Sequence, residues 1–129
     1  MNDVRGLLDV AQLDLPRRRW WPEFVRFYLS AKRTCDLSEG CTLQALPPEV
    51  ARSDHASRIA FEAALREVAQ AVADGPASPR LPRDVQTACA ALGSLVGAVT
   101  LARAVESQAF SDQIAAATDC ALLGPARSK

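Results

Sequence analysis

Residues 84–104 read DVQTACAALGSLVGAVTLARA, from Asp84 to Ala104, and this stretch decides the fold. No charged residue occurs between Val85 and Ala102, and two glycines, Gly93 and Gly97, lie inside. A helix that is apolar all round must be covered, either by protein or by a membrane. Winding it at 3.6 residues per turn separates two faces. One carries Val85, Cys89, Leu92, Leu95, Val96 and Val99, groups that fill a core or wall a cavity. The other carries Ala90, Gly93, Ser94, Gly97, Ala98 and Ala104, with Leu101 among them, and allows a second helix to approach closely. Both faces need partners, and in so short a chain the partner expected for the small face is a second copy.

A membrane-spanning role fits the stretch less well. It is only just long enough to span, is rich in Ala, Gly, Ser and Thr, and has no Trp or Tyr belt beside it. The Gly93-x-x-x-Gly97 spacing marks close helix contact in soluble bundles as well as in membranes. The expectation is a buried helix in a soluble protein with no membrane partner.

Composition narrows the function classes. A chain of 129 residues suits one domain with a real core. Fifteen basic residues balance fifteen acidic ones, so the overall positive field of a nucleic-acid binder is missing. The start, MNDVRGLLDV, lacks the pattern of a signal peptide, which leads to the expectation of a cytoplasmic protein. Cys35, Cys41, Cys89 and Cys120 form no CxxC pair, and His55 is the only histidine, so no metal site or cofactor is expected. Buried or idle thiols are the default in a reducing compartment.

Working outward to the N-terminus, Val4, Leu7, Leu8, Ala11 and Leu15 recur at helical spacing up to Pro16. Arg17, Arg18 and Arg19 follow; three charges in a neutral chain read as a solvated connector rather than a phosphate contact. Trp20-Trp21-Pro22-Glu23 reads as a helix start, with proline suited to the first helical position. Trp21, Phe24, Val25, Tyr28 and Leu29 make one apolar stripe, widened by Phe27. Aromatics at this spacing are normally core packing; the alternative is the wall of a ligand cavity, with the Tyr28 hydroxyl as its polar handle.

Thr34 to Gly40 reads as a loop, and Pro47-Pro48 breaks the helical spacing of Leu43, Leu46 and Val50. Ser53 or Asp54 suits the cap of a helix carrying Phe61, Ala64, Leu65, Val68, Ala69 and Val72. Arg58, Glu62 and Arg66 ladder its outer face, and His55 in its first turn reads as an exposed surface group. Residues 75–82, GPASPRLP, form a loop before the organising helix. The final helix carries Phe110, Ile114, Ala117 and Ala121 and stops at Gly124-Pro125. No strand alternation occurs, so the fold is predicted to be all-α, with the last two helices as an antiparallel hairpin. No nucleophile elbow, phosphate loop, HExxH or supported Cys/His pair is present, so no catalytic residue is expected and the chain does not read as an enzyme.

Several pieces in order resemble the C-terminal domain of TetR/AcrR-type transcriptional regulators. They are Tyr28-Leu29-Ser30, Gly40-Cys41-x-Leu43-x-Ala45-Leu46 and Glu49-Val50-Ala51-Arg52. Ala60-Phe61-Glu62, Leu95-Val96-Gly97-Ala98 and Leu101-Ala102-Arg103-Ala104 continue the series, which runs from about Val25 to Leu122. The resemblance implies a helical bundle in a bacterial regulator, in which the last two helices of two subunits form a four-helix-bundle dimer interface. It also implies a small, largely apolar effector in the bundle, whose binding shifts the dimer between shapes.

On that basis residues 1–19 are a remnant of the linking helix and connector, 20–124 the ligand-binding and dimerisation domain, and 125–129 a frayed tail. The resemblance raises the cavity alternative for the aromatics. Expected ligand contacts are Trp21, Phe24, Tyr28, Leu43, Leu46, Phe61, Leu65, Leu92, Val96 and Val99, with Tyr28 orienting the ligand. The expected homodimer interface comprises Gly93, Gly97, Ala98, Leu101, Phe110, Ile114, Ala117 and Ala121. Met1 to Leu15 is too short for a three-helix DNA reader, so operator DNA is expected to be reached only through a helix-turn-helix that this chain lacks. The competing expectation is a ligand-free helical module that forms heterodimers with intact regulators.

Overall fold

Each helix starts where a side chain or a loop takes up its free N–H groups. The computed structural model describes residues 19–32, 52 and 54–124. Its helices are α1 (Trp20–Phe27), α2 (His55–Ala73), α3 (Val85–Ala104) and α4 (Gln108–Leu123). A wider π turn, Tyr28–Lys32, continues α1. Asp54 caps α2 by accepting from the Ser57 N–H at 2.9 Å, and Asp84 caps α3 through the Thr87 N–H at 2.8 Å. Ser107 caps α4 through the Phe110 N–H at 3.1 Å. Helix α1 has no side-chain cap of its own. Proline is its third residue rather than its first, still within the turn where a missing N–H goes unnoticed.

No strand occurs among the described residues, and the protein is all-α. Several sequence expectations lie outside them: the Val4–Leu15 helix, Arg17 and Arg18, the loop ending in Gly40, the Pro47-Pro48 break with Leu43, Leu46 and Val50, the thiols of Cys35 and Cys41, and the tail from Pro125.

Helix α3 organises the packing. It lies against α2 on one side, against α4 on another, and touches the π turn that ends α1. A three-residue connection, 105–107, joins α3 to α4 as a hairpin. The core combines Trp20, Trp21, Phe24, Val25, Tyr28 and Leu29 with Val68, Ala69 and Val72 of α2 and Leu92, Leu95 and Val99 of α3. Leu81, from the loop before α3, closes it.

The buried stripe of α3 differs from the one read off side-chain size. It runs through Ala88, Ala91, Leu92, Leu95, Ala98, Val99 and Ala102, so four alanines face inward. Small residues there let α2 and α4 sit close, which hydrophobicity alone does not reveal. Cys89 lies roughly 60° round the helix from Leu92 and is exposed. Ala98, expected on the small outer face, belongs to the core cluster. Phe27 likewise leaves the aromatic stripe and is 51% exposed. By length and composition α3 is long and apolar enough to cross a membrane, with a mean hydropathy of 1.6 over an 18-residue window, 39% of it buried in the protein.

Candidate functional site

The aromatic residues of α1 form a chain of rings. Trp20 and Trp21 meet edge to face with centroids 5.9 Å apart. Trp21 stacks on Phe24 at 5.8 Å, and Phe24 meets Tyr28 at 6.1 Å. All four side chains are at most 1% exposed. Contacts of this kind add about 0.5–1.5 kcal/mol per pair beyond the area they bury.

The loop at residues 75–82 straps this cluster. The Trp20 indole Nε1 donates to the Pro76 carbonyl at 2.6 Å, and the Trp21 backbone N–H donates to Ser78 Oγ at 3.1 Å. The second bond supplies the cap that the sequence of α1 lacks. At Arg80 the backbone turns to φ 62°, a left-handed value that a non-glycine residue rarely adopts. The Arg80 guanidinium lies against Gly124 at the end of α4, so a Cβ on that glycine would come within 2.8 Å of it. Gly124 itself has φ 86°, a second reason for glycine there. The strap thus touches the tryptophans at one point and the end of the final helix at another.

One polar atom in the cluster stands apart. The Trp21 Nε1–H is fully buried and has no hydrogen-bond partner among the described residues. A buried unpaired donor costs about 1–3 kcal/mol, so such atoms are rare in folded proteins.

Of the expected ligand contacts, Trp21, Phe24, Tyr28, Leu92 and Val99 share the buried cluster. Phe61, Leu65 and Val96 are partly buried and pack against it, so the fold brings these eight together. Leu43 and Leu46 lie outside the described residues. A separate open groove of ≈ 410 Å³ runs between the end of α1 and α4, lined by Arg26, Leu29, Ser30, Ala115, Asp119 and Cys120 among others. None of the expected contacts lines it. Arg26 Nε bonds Asp119 Oδ2 across it at 3.2 Å, tying α1 to α4. Residues 93 positions apart make this pair, and no local pattern signals it.

The expected interface residues divide differently. Gly93 and Leu101 are exposed and Gly97 is half-buried. A Cβ added at either glycine would meet nothing within 4 Å. Ala117 and Ala121 are exposed, Phe110 is 50% exposed, and Ile114 is partly buried against the core. Ala98 faces inward, as noted above. What remains is an open, small-residue face on α3 and an outward stripe on α4, both on one hairpin.

Arg66 pairs with Glu62 at 2.9 Å on the outer face of α2, and His55 is exposed at its first turn. Asp54 and Asp84 have carboxyls held below their ordinary pKa, chiefly by the backbone N–H groups of Ser57 and Thr87 that they cap and then by those residues' hydroxyls. Among the described residues no three His, Cys, Asp or Glu side chains gather as a metal site. Comparison with protein-family models, curated proteins and solved structures finds no significant match to this chain.

Proposed function

We propose that this chain is the effector-binding and dimerisation domain of a TetR-like transcriptional regulator, acting in the cytoplasm as a homodimer. The observation that carries the proposal is the uncovered hairpin. Gly93 and Gly97 leave open space beside α3, while Leu101 and Phe110 on the same hairpin are 60% and 50% exposed. Helix faces of this kind are suited to close, self-complementary contact with a second copy. The sensing role rests on the eight gathered apolar and aromatic residues behind α3. A small apolar effector bound there would press on α3 from within and shift the two-fold pairing outside. In this proposal the chain performs no chemistry, and operator DNA is reached only through a helix-turn-helix outside it.

The second reading is the ligand-free dimerisation module that captures intact regulators. It is favoured by the near-zero exposure of Trp20, Trp21, Phe24 and Tyr28, which is what a filled core would show. Thermal melting with a panel of small hydrophobic compounds separates the two. A compound that binds only the native protein raises the melting temperature in proportion to the logarithm of its concentration. A concentration-dependent rise with some compounds supports sensing, and no rise with any compound, in a chain that still dimerises, supports the ligand-free module.

A further inference from the structure

From the Trp21 indole we infer the chemistry of the effector: an apolar body carrying one hydrogen-bond acceptor, oriented by Trp21 Nε1 and admitted by displacement of the strap at residues 75–82. The inference deepens the sensing proposal above and rests on it. Its independent support is the fully buried Trp21 Nε1–H, unpaired among the described residues, in the cluster that holds the expected ligand contacts. Trp20, its neighbour, already donates to Pro76 O at 2.6 Å. Of the two indoles, Trp21 is therefore the one with a hydrogen bond left to give, and an indole is a donor only. A carbonyl, ether or carboxylate oxygen would complete it; an ammonium, which has no lone pair, would not. Phe24, which stacks on the Trp21 ring, and Leu92 and Val99 of the same buried cluster bring no donor of their own, so the bond forms in apolar surroundings where it is strongest.

The route in follows from the same contacts. The strap is held over the tryptophans by the Trp20–Pro76 and Trp21–Ser78 bonds and anchored beyond them by buried Leu81, while Arg80 within it carries left-handed backbone strain. Displacing residues 76–78 breaks these two bonds, neither of which belongs to the hydrogen-bond ladder of a helix.

The test uses a matched pair of probes, acetophenone and 2-phenylpropene, which share shape but differ in a carbonyl against a methylene. In the ¹⁵N-labelled full chain the two tryptophans give two indole N–H signals, assigned with Trp20→Phe and Trp21→Phe. The expected result is that acetophenone moves the Trp21 signal downfield and binds about tenfold tighter than 2-phenylpropene, the size of one net hydrogen bond. In Trp21→Phe that preference should fall to about one, with 2-phenylpropene still bound. Ser78→Ala should speed association of both probes and leave their ratio unchanged.

Binding of both probes with equal affinity, or binding of acetophenone with the Trp21 signal unmoved, overturns the Trp21 assignment and leaves the sensing proposal standing. Unchanged association in Ser78→Ala overturns the strap as entrance. No binding of either probe, with the Trp21 signal moved only by a resident water seen as a cross-peak to the indole proton, counts against both the inference and the cavity beneath it.

Discussion

A leucine at position 97 tests the architecture of the hairpin most directly. Within one chain it should do no harm. A Cβ at Gly97 meets nothing within 4 Å, and leucine is favoured over glycine inside a helix by about 0.5–1 kcal/mol. Across a two-fold contact the effect reverses, because the added side chain is present twice and holds apart backbones that the glycines let approach. Leu101 is 60% and Phe110 50% exposed, so covering them is worth about 1–1.5 kcal/mol apiece, or roughly 4–6 kcal/mol for the four in a dimer. Association itself costs roughly 4–15 kcal/mol, so these side chains alone leave little surplus and the close small-residue contact decides the outcome. Overpacking at about 1–3 kcal/mol per site, felt twice, should weaken Gly97→Leu association by roughly 30-fold or more. Sedimentation velocity over a wide concentration range measures this, with Arg58→Ala on the exposed face of α2 as control. Thermal melting at a dilution where both proteins are monomeric should show Gly97→Leu as stable as wild type or slightly more. The reasoning is refuted if wild type is a monomer throughout, or if Gly97→Leu dimerises as wild type does.

Three further outcomes are expected. Leu95→Ala, at a side chain with no exposure, should cost about 2–5 kcal/mol in denaturant unfolding, whereas Ile59→Ala, 54% exposed, should stay within about 0.5 kcal/mol of wild type. The caps of α2 and α3 should make stability fall in acid. The folded pKa of Asp54 and of Asp84 lies below the unfolded value near 3.8, so their contribution is complete above that value and is lost as pH falls through the lowered one. Asn at both positions keeps the caps but should flatten this part of the pH profile, and an unchanged acid profile would show that the caps do not titrate with folding. Finally, under the proposed function any retention of DNA by the isolated chain should vanish with added salt; a salt-resistant shift of one duplex over others would refute that part of the proposal.

The helices themselves were readable because their signals are local. Asp54, one of two cap candidates read from the sequence, sits three residues before the N–H it bonds, the structure adds Asp84 and Ser107 at the same spacing, and Gly124 marks the end of α4 in the same short-range way. The helical periods of Val68, Ala69 and Val72, and of Leu92, Leu95 and Val99, pick out residues that the core does hold. Helical class and the large apolar members of the core follow from such repeats without knowledge of what lies opposite.

Contacts between distant residues were decided only by the tertiary structure. Whether Ala98 faces the core or a second subunit depends on how far α3 is rotated about its axis, and that is set by how closely α2 and α4 approach its alanines. Side-chain size along one helix does not carry that information, so Cys89 and Phe27 were read as inward and are exposed. The Ser78 hydroxyl that caps α1 comes from 57 residues away, and Arg26 meets Asp119 across 93. The unpaired Trp21 Nε1 is the same kind of fact. The sequence shows an indole on an apolar stripe, but only the packing of every neighbour around it decides whether its N–H finds an acceptor.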